Sequence, residues 1–243
     1  MNEMNKTLKA MLVGGLLATS SLVGASTADA ALVLRYSIDG GGFTTVVDEL
    51  AGDGALGAPG LISVVLTTGG FTATFVTGTQ SILSNPGADS LHANFSGTVL
   101  GAHTLLLEVS GTGFPDDSDP LFIDSQLANS SLSGGSTVNL KSYLNTANTL
   151  FDSTVAYGSQ TLLLNATHTT TSEAPVTSFG AFSPPGDFAI SHQLLLTSTG
   201  TGEKAFNVTS STHVRVPEPM TLGLLGTGLL ALGAIARRRR QAA

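Results

Sequence analysis

Ten Lys and Arg against 17 Asp and Glu leave the 243-residue chain at a formal charge of −7, with 11% charged residues, no cysteine and no tryptophan. Without cysteine there is no disulfide, no thiolate metal site and no cysteine nucleophile. Without a basic stripe to neutralise phosphates, the expectation is no nucleic acid partner.

Lys6 and Lys9 precede an apolar run at 10–17, and small residues at 25–31 surround Ala28-Asp29-Ala30, an A-x-A-type cleavage site. Residues 1–30 are therefore expected to be a secretory signal peptide. Thr19, Ser20 and Ser21 interrupt the apolar run before it could span a bilayer. The mature chain then begins near Ala31, and residues 31–215 suit one domain with its own core. Arg35, Lys141, Lys204 and Arg215 are its basic residues, against fourteen acidic ones, a formal charge of −10. Such a surface favours solubility and attracts divalent cations loosely.

In this segment apolar residues recur with a period near two, β-branched residues abound, and Gly, Asn, Asp or Pro punctuate them. The pattern predicts strands at 32–38, 43–50, 61–67, 71–77, 91–100, 103–110, 137–144, 154–157, 161–170, 176–182, 188–198 and 205–214. Phe71-Thr72-Ala73-Thr74-Phe75 alternates strictly, with apolar side chains on one face and small polar ones on the other. Many short strands with no intervening helical pattern point to an all-β fold, an antiparallel β-sandwich. Leu140, Tyr143, Leu144, Ala147 and Leu150 also fall at helical spacing, but Asn145, Thr146, Asn148 and Thr149 are poor helix formers, so strand followed by loop is the reading kept. Residues 105–113 and 194–202 echo each other, each a Leu-rich strand running into Gly-Thr-Gly, which turn chemistry alone can produce.

Several patterns invite chemistry. Residues 200–205 match G-x-G-x-x-A, but Phe206-Asn207-Val208-Thr209 reads as strand where a dinucleotide site needs a helix, so the glycines are read as a hairpin turn. Asp116, Asp117 and Asp119, with Asp124 downstream, form a candidate calcium site. The EF-hand pattern fails at Leu121, and a solvated acidic turn between Pro115 and Pro120 is the reading kept. Asp48, Glu49 and Asp53 are a lesser candidate. His92, His103, His168, His192 and His213 show no metal-ligand spacing, and no G-x-S-x-G elbow occurs. The expectation is no catalytic residue, no metal and no cofactor. Aromatic platforms for sugars are scarce, with three tyrosines and the Phe residues placed at strand positions that suit a core.

The chain ends on Val216-Pro217-Glu218-Pro219, an uncharged run from Met220 to Ala236, and Arg237, Arg238, Arg239 and Arg240. The run of 17 residues spans about 25 Å as a helix, at the lower limit for hydrocarbon, and clustered arginines hold its end in the cytoplasm. A single C-terminal transmembrane helix at 220–236 is expected.

This order of Pro217, Glu218 and Pro219, a short Leu/Gly span and an Arg-rich end resembles the PEP-CTERM sorting signal of exosortase substrates in Gram-negative bacteria. The resemblance implies residues 216–243 are a sorting signal, exported through Sec-type machinery and processed by an exosortase-type enzyme. An inner-membrane-anchored precursor would then yield a form at the cell surface or in the extracellular, exopolysaccharide-containing matrix of a biofilm. Stretches near 105–114 and 137–151 resemble β-rich PEP-CTERM proteins without an assigned reaction. The expected function is a noncatalytic cell-surface or matrix component; the alternatives are a glycan-binding or adhesive module and an uncharacterised hydrolase.

Overall fold

The computed structural model describes residues 31–81, 89–114, 121–151, 160–170 and 172–215. Twelve strands occur among them: β1 Leu32–Ile38, β2 Thr44–Val47, β3 Leu61–Leu66, β4 Phe71–Ser81, β5 Asp89–Leu100 and β6 Thr104–Phe114; then β7 Leu121–Leu132, β8 Ser136–Asn145, β9 Thr161–His168, β10 Val176–Phe182, β11 Phe188–Ser198 and β12 Glu203–Arg215. They form two antiparallel six-stranded sheets, the first ordered β2-β1-β6-β11-β8-β9 and the second β10-β7-β12-β5-β4-β3. The all-β, sandwich-like architecture is as the patterning predicts.

Period-two alternation is what buries one face of each sheet. β3 turns Ile62, Val64 and Leu66 inward while Val65 stands 70% exposed. Between the sheets, Phe75, Phe95 and Phe206 form a chain of tilted rings with centroids 6.3 and 5.8 Å apart, and Phe114 stacks on Phe188 at 5.8 Å. Aromatic contacts of this geometry add to the burial of apolar area. Among the described residues the core cluster runs from Leu32 to Val214 and draws on both sheets. At Gly97 β5 passes so close to β4 that a Cβ would run into the Thr72 carbonyl oxygen and the Ala73 backbone, and only glycine fits.

Three readings need correction or extension. β7 has no counterpart among the predicted strands. Its inward set of Leu121, Ile123, Ser125, Leu127 and Asn129 mixes polar with apolar residues while Phe122 faces outward, which blurs the alternation. The turn at 199–202 does not close a hairpin, because β11 and β12 belong to different sheets and it carries the chain from one layer to the other. The echoed Gly111-Thr112-Gly113 lies inside β6 and is no corner. Segment 137–145 is strand followed by turn, as expected.

The expected signal peptide, strand 154–157, the loop of Asp116, Asp117 and Asp119, and the tail with Pro217 to Pro219 and Arg237 to Arg240 lie outside the described residues. Among the described residues no helix is long and apolar enough to cross a membrane.

Candidate functional site: a groove on the outer face of the second sheet

Antiparallel register places the side chains of β5 and β12 alternately inside and outside the sandwich. Asn94 opposes Thr209, His92 opposes Ser211 and Ser90 opposes His213, all on the outer face. Ser90, His92, Asn94 and His213 form one wall of a groove of about 740 Å³, within the size range of small-ligand sites. Val76 and Gly78 of β4 and Leu61 of β3 supply its apolar floor, and Ala58, Pro59 and Gly60 its rim.

The rim is held in place by carboxylates. Asp53 Oδ1 accepts the N–H groups of Ala55 at 2.8 Å and Ser63 at 3.0 Å, and its Oδ2 accepts that of Glu49 at 3.2 Å. Burial pushes the Asp53 carboxyl up, but these three backbone donors outweigh it and hold it below the usual range. Asp48 Oδ2 accepts the Gly60 N–H at 2.6 Å and Glu49 Oε2 that of Gly57 at 2.9 Å. Asp48, Glu49 and Asp53, the lesser of the two calcium candidates, thus staple the loop that bounds the groove.

Within the groove Asn94 Nδ2 donates to Thr209 Oγ1 at 3.0 Å, orienting its amide. His92 is pushed below the ordinary imidazole range by desolvation and then by His213. The lining therefore combines side-chain donors and acceptors with an apolar floor.

The other histidines serve structure. His192 is enclosed in the core, where Nδ1 lies 2.9 Å from Ser210 Oγ and Nε2 2.8 Å from Thr212 Oγ1; desolvation, with His92 and His213, pushes it down to about 3. His168 is buried with Nδ1 2.8 Å from Asn129 Oδ1. His103 Nδ1 lies 2.7 Å from Asp39 Oδ2 at a corner between β1 and β6. Among the described residues no three His, Asp or Glu side chains gather to hold a metal ion. Asp124 sits on β7 in register with Phe179 and His213.

A second polar cluster lies on the first sheet. Glu108 is 2% exposed, ion-paired with Arg35 Nε, and accepts from Gln193 Nε2 at 2.9 Å. The Arg35 guanidinium lies over Phe43 at 4.6 Å and Phe151 at 4.3 Å. Burial and then Glu108 push the Tyr143 phenol up. Glu108 at the centre of this cluster is enclosed, whereas the groove is open to solvent.

In the sequence the five histidines lie far apart and show no ligand spacing. What brings His92 and His213 together is the pairing of β5 with β12, more than a hundred positions apart in the chain, and register across that separation leaves no local signal.

No family model matches the chain, and no curated protein matches it. Solved structures with a similar course include an infectious bursal disease virus structure, Gx strain, at 12% identity and TM-score 0.28, covering 82% of this chain and 54% of that one. A second is a structure of carbohydrate-binding modules of the β-sandwich superfamily, also at 12% identity and TM-score 0.28, covering 74% and 83%. A third is the enzymatically active domain of the bacteriophage CBA120 tailspike protein 4, at 12% identity and TM-score 0.21, covering 67% and 21%. The chain spans about half the length of the viral chain it matches. Overlaps this loose carry no argument about function.

Proposed function

We propose that residues 31–215 are the noncatalytic, polysaccharide-holding domain of an exported cell-surface or matrix protein, delivered and processed through the signal at 216–243. The observation that carries this reading is the groove on the second sheet. A pyranose presents an apolar face of C–H groups and a rim of hydroxyls. Val76, Leu61 and Pro59 match the first, and His92, Asn94, Ser90 and His213 match the second with donors and acceptors that need no charge.

The test is retention of purified residues 31–215 on the producer's own exopolysaccharide, followed by titration. Asn94→Ala and His92→Ala should each weaken binding about 10-fold, the worth of roughly one well-made hydrogen bond. Equal binding by wild type and both variants would remove the groove from the function. Release of new reducing ends by the wild type would replace holding with hydrolysis.

A further inference from the structure

The second sheet ends on β10, an edge that lacks the devices that ordinarily keep strand edges apart. Natural edges are protected by shortness, charges, prolines or bulges. β10 is seven residues long and pairs with β7 without a register break, and its sequence Val-Thr-Ser-Phe-Gly-Ala-Phe contains no charge and no proline. Val176 is 38% and Phe179 65% exposed. Among the described residues β7 is its only hydrogen-bonded strand neighbour. The Phe179 ring stacks on Phe122 of β7 with centroids 5.4 Å and planes 9° apart. One face of Phe179 is therefore covered from within the sheet, and the opposite face is turned toward the open edge.

We propose that β10 is a self-association edge, where a second copy of this chain adds antiparallel with Phe179 opposite Phe179. In a two-fold pairing residue i meets j and j meets i. Centred on Phe179, this sets Ser178 against Gly180, Thr177 against Ala181 and Val176 against Phe182, so the strand is its own complement. No charge meets a like charge, and the central aromatic pair is among the favourable cross-strand combinations. A second copy fits this edge because residues 31–215 carry a formal charge of −10 elsewhere. At an uncharged edge two like-charged copies approach with little repulsion, and the other edge of this sheet, β3, already has its Ser63 N–H and carbonyl bonded by Asp53 and Gly54. The joined sheet has twelve strands and presents both outer faces on the same side. If the groove holds polysaccharide, as proposed above, two grooves on one surface bind a long chain bivalently; the association itself does not depend on that reading.

Since the chain has no cysteine, single-cysteine variants of residues 31–215 report on the contact. Directly opposed strand residues sit about 4.5–5.5 Å apart, within reach of a disulfide. On mild oxidation Phe179→Cys should form a covalent dimer, while Val65→Cys, exposed on β3 at the other edge of the sheet, should stay monomeric. Light scattering of the wild type should show mass rising from one copy toward two with concentration, and at lower concentration in high salt, which screens the net charge. Phe179→Lys should remain one copy while keeping the wild-type circular dichroism. A wild type that stays single at every concentration and salt, or Val65→Cys crosslinking as readily as Phe179→Cys, would overturn the proposal. A mixed disulfide joining the Phe179→Cys variant to the Val65→Cys variant would also overturn it, because it would mean head-to-tail pairing of β10 with β3.

Discussion

His192 of the first sheet reaches Thr212 of the second, Nε2 to Oγ1 at 2.8 Å, and Thr212 in turn lies 2.7 Å from Ser125 Oγ. A neutral imidazole has one donor and one acceptor nitrogen, and Ser210 and Thr212 satisfy both. Protonation would leave a charge in the core with no carboxylate among these hydrogen-bond partners.

This gives the first prediction its sign. The His192 pKa in the folded state, about 3, lies below the unfolded value near 6.5, so between the two the unfolded chain binds the proton that the folded chain refuses. Stability from this group is fully present above about pH 6.5 and is lost as pH falls toward 3, with a slope approaching ~1.4 kcal/mol per pH unit. Denaturant melts of residues 31–215 from pH 7 to pH 4.5 should show the loss, and His192→Gln should flatten it. A wild-type stability that does not change over this interval would contradict the assignment.

Arg35→Ala would strip Glu108 of its cationic partner while leaving the carboxylate 2% exposed. Removing one member of a buried pair costs about 3–5 kcal/mol, mostly the penalty of the stranded charge. Loss of the guanidinium also uncovers the Phe43 and Phe151 rings. Arg35→Ala with Glu108→Gln should recover part of the loss, because the amide can stay buried uncharged. A single variant melting within 1 °C of wild type would show the pair to be inconsequential.

Gly97→Ala adds one methyl group and should destabilise by about 2 kcal/mol or more, since the new Cβ meets backbone on the neighbouring strand and backbone yields poorly. Gly134→Ala, where a Cβ has nothing within 4 Å, is the matched control. Chemical denaturation of the two side by side checks the contrast.

Most of the strand pattern was legible because burial here follows simple alternation. β1, β10 and β11 begin and end where the periodicity places them. β7 escaped because Ser125 and Asn129 face inward, Ser125 to meet Thr212 and Asn129 to meet His168. Their partners lie on strands 39 to 87 positions away, and no local window shows them. The groove was illegible for a related reason. Its lining comes from residues 58–61, 76–79, 90–94 and 213, so composition could register a histidine count but could not register that two of the histidines share a face. The carboxylates 48, 49 and 53 were visible as a cluster. Whether they bind a cation or their own backbone depends on where the N–H groups of Ala55, Gly57, Gly60 and Ser63 point, which only the folded loop decides.

The sorting reading is tested at the other end of the chain. On that reading Arg237 to Arg240 would resist translocation, because moving guanidinium groups into hydrocarbon is costly, about 2.5–3.5 kcal/mol each at the centre of a span. Neutralising all four should leave the short 220–236 run without a fixed orientation, and the precursor should appear in mixed topology or escape the membrane. Changing Pro217, Glu218 and Pro219 together leaves the span and its arginines untouched, so insertion should persist while processing stops and the precursor accumulates in the inner membrane. Mass spectrometry of the extracellular form from a competent host should find residues 222–235 absent in the wild type, and fractionation should find the triple variant retained. A mature extracellular protein that still carries 222–235 would set the sorting signal aside, and the tail would then be a permanent anchor.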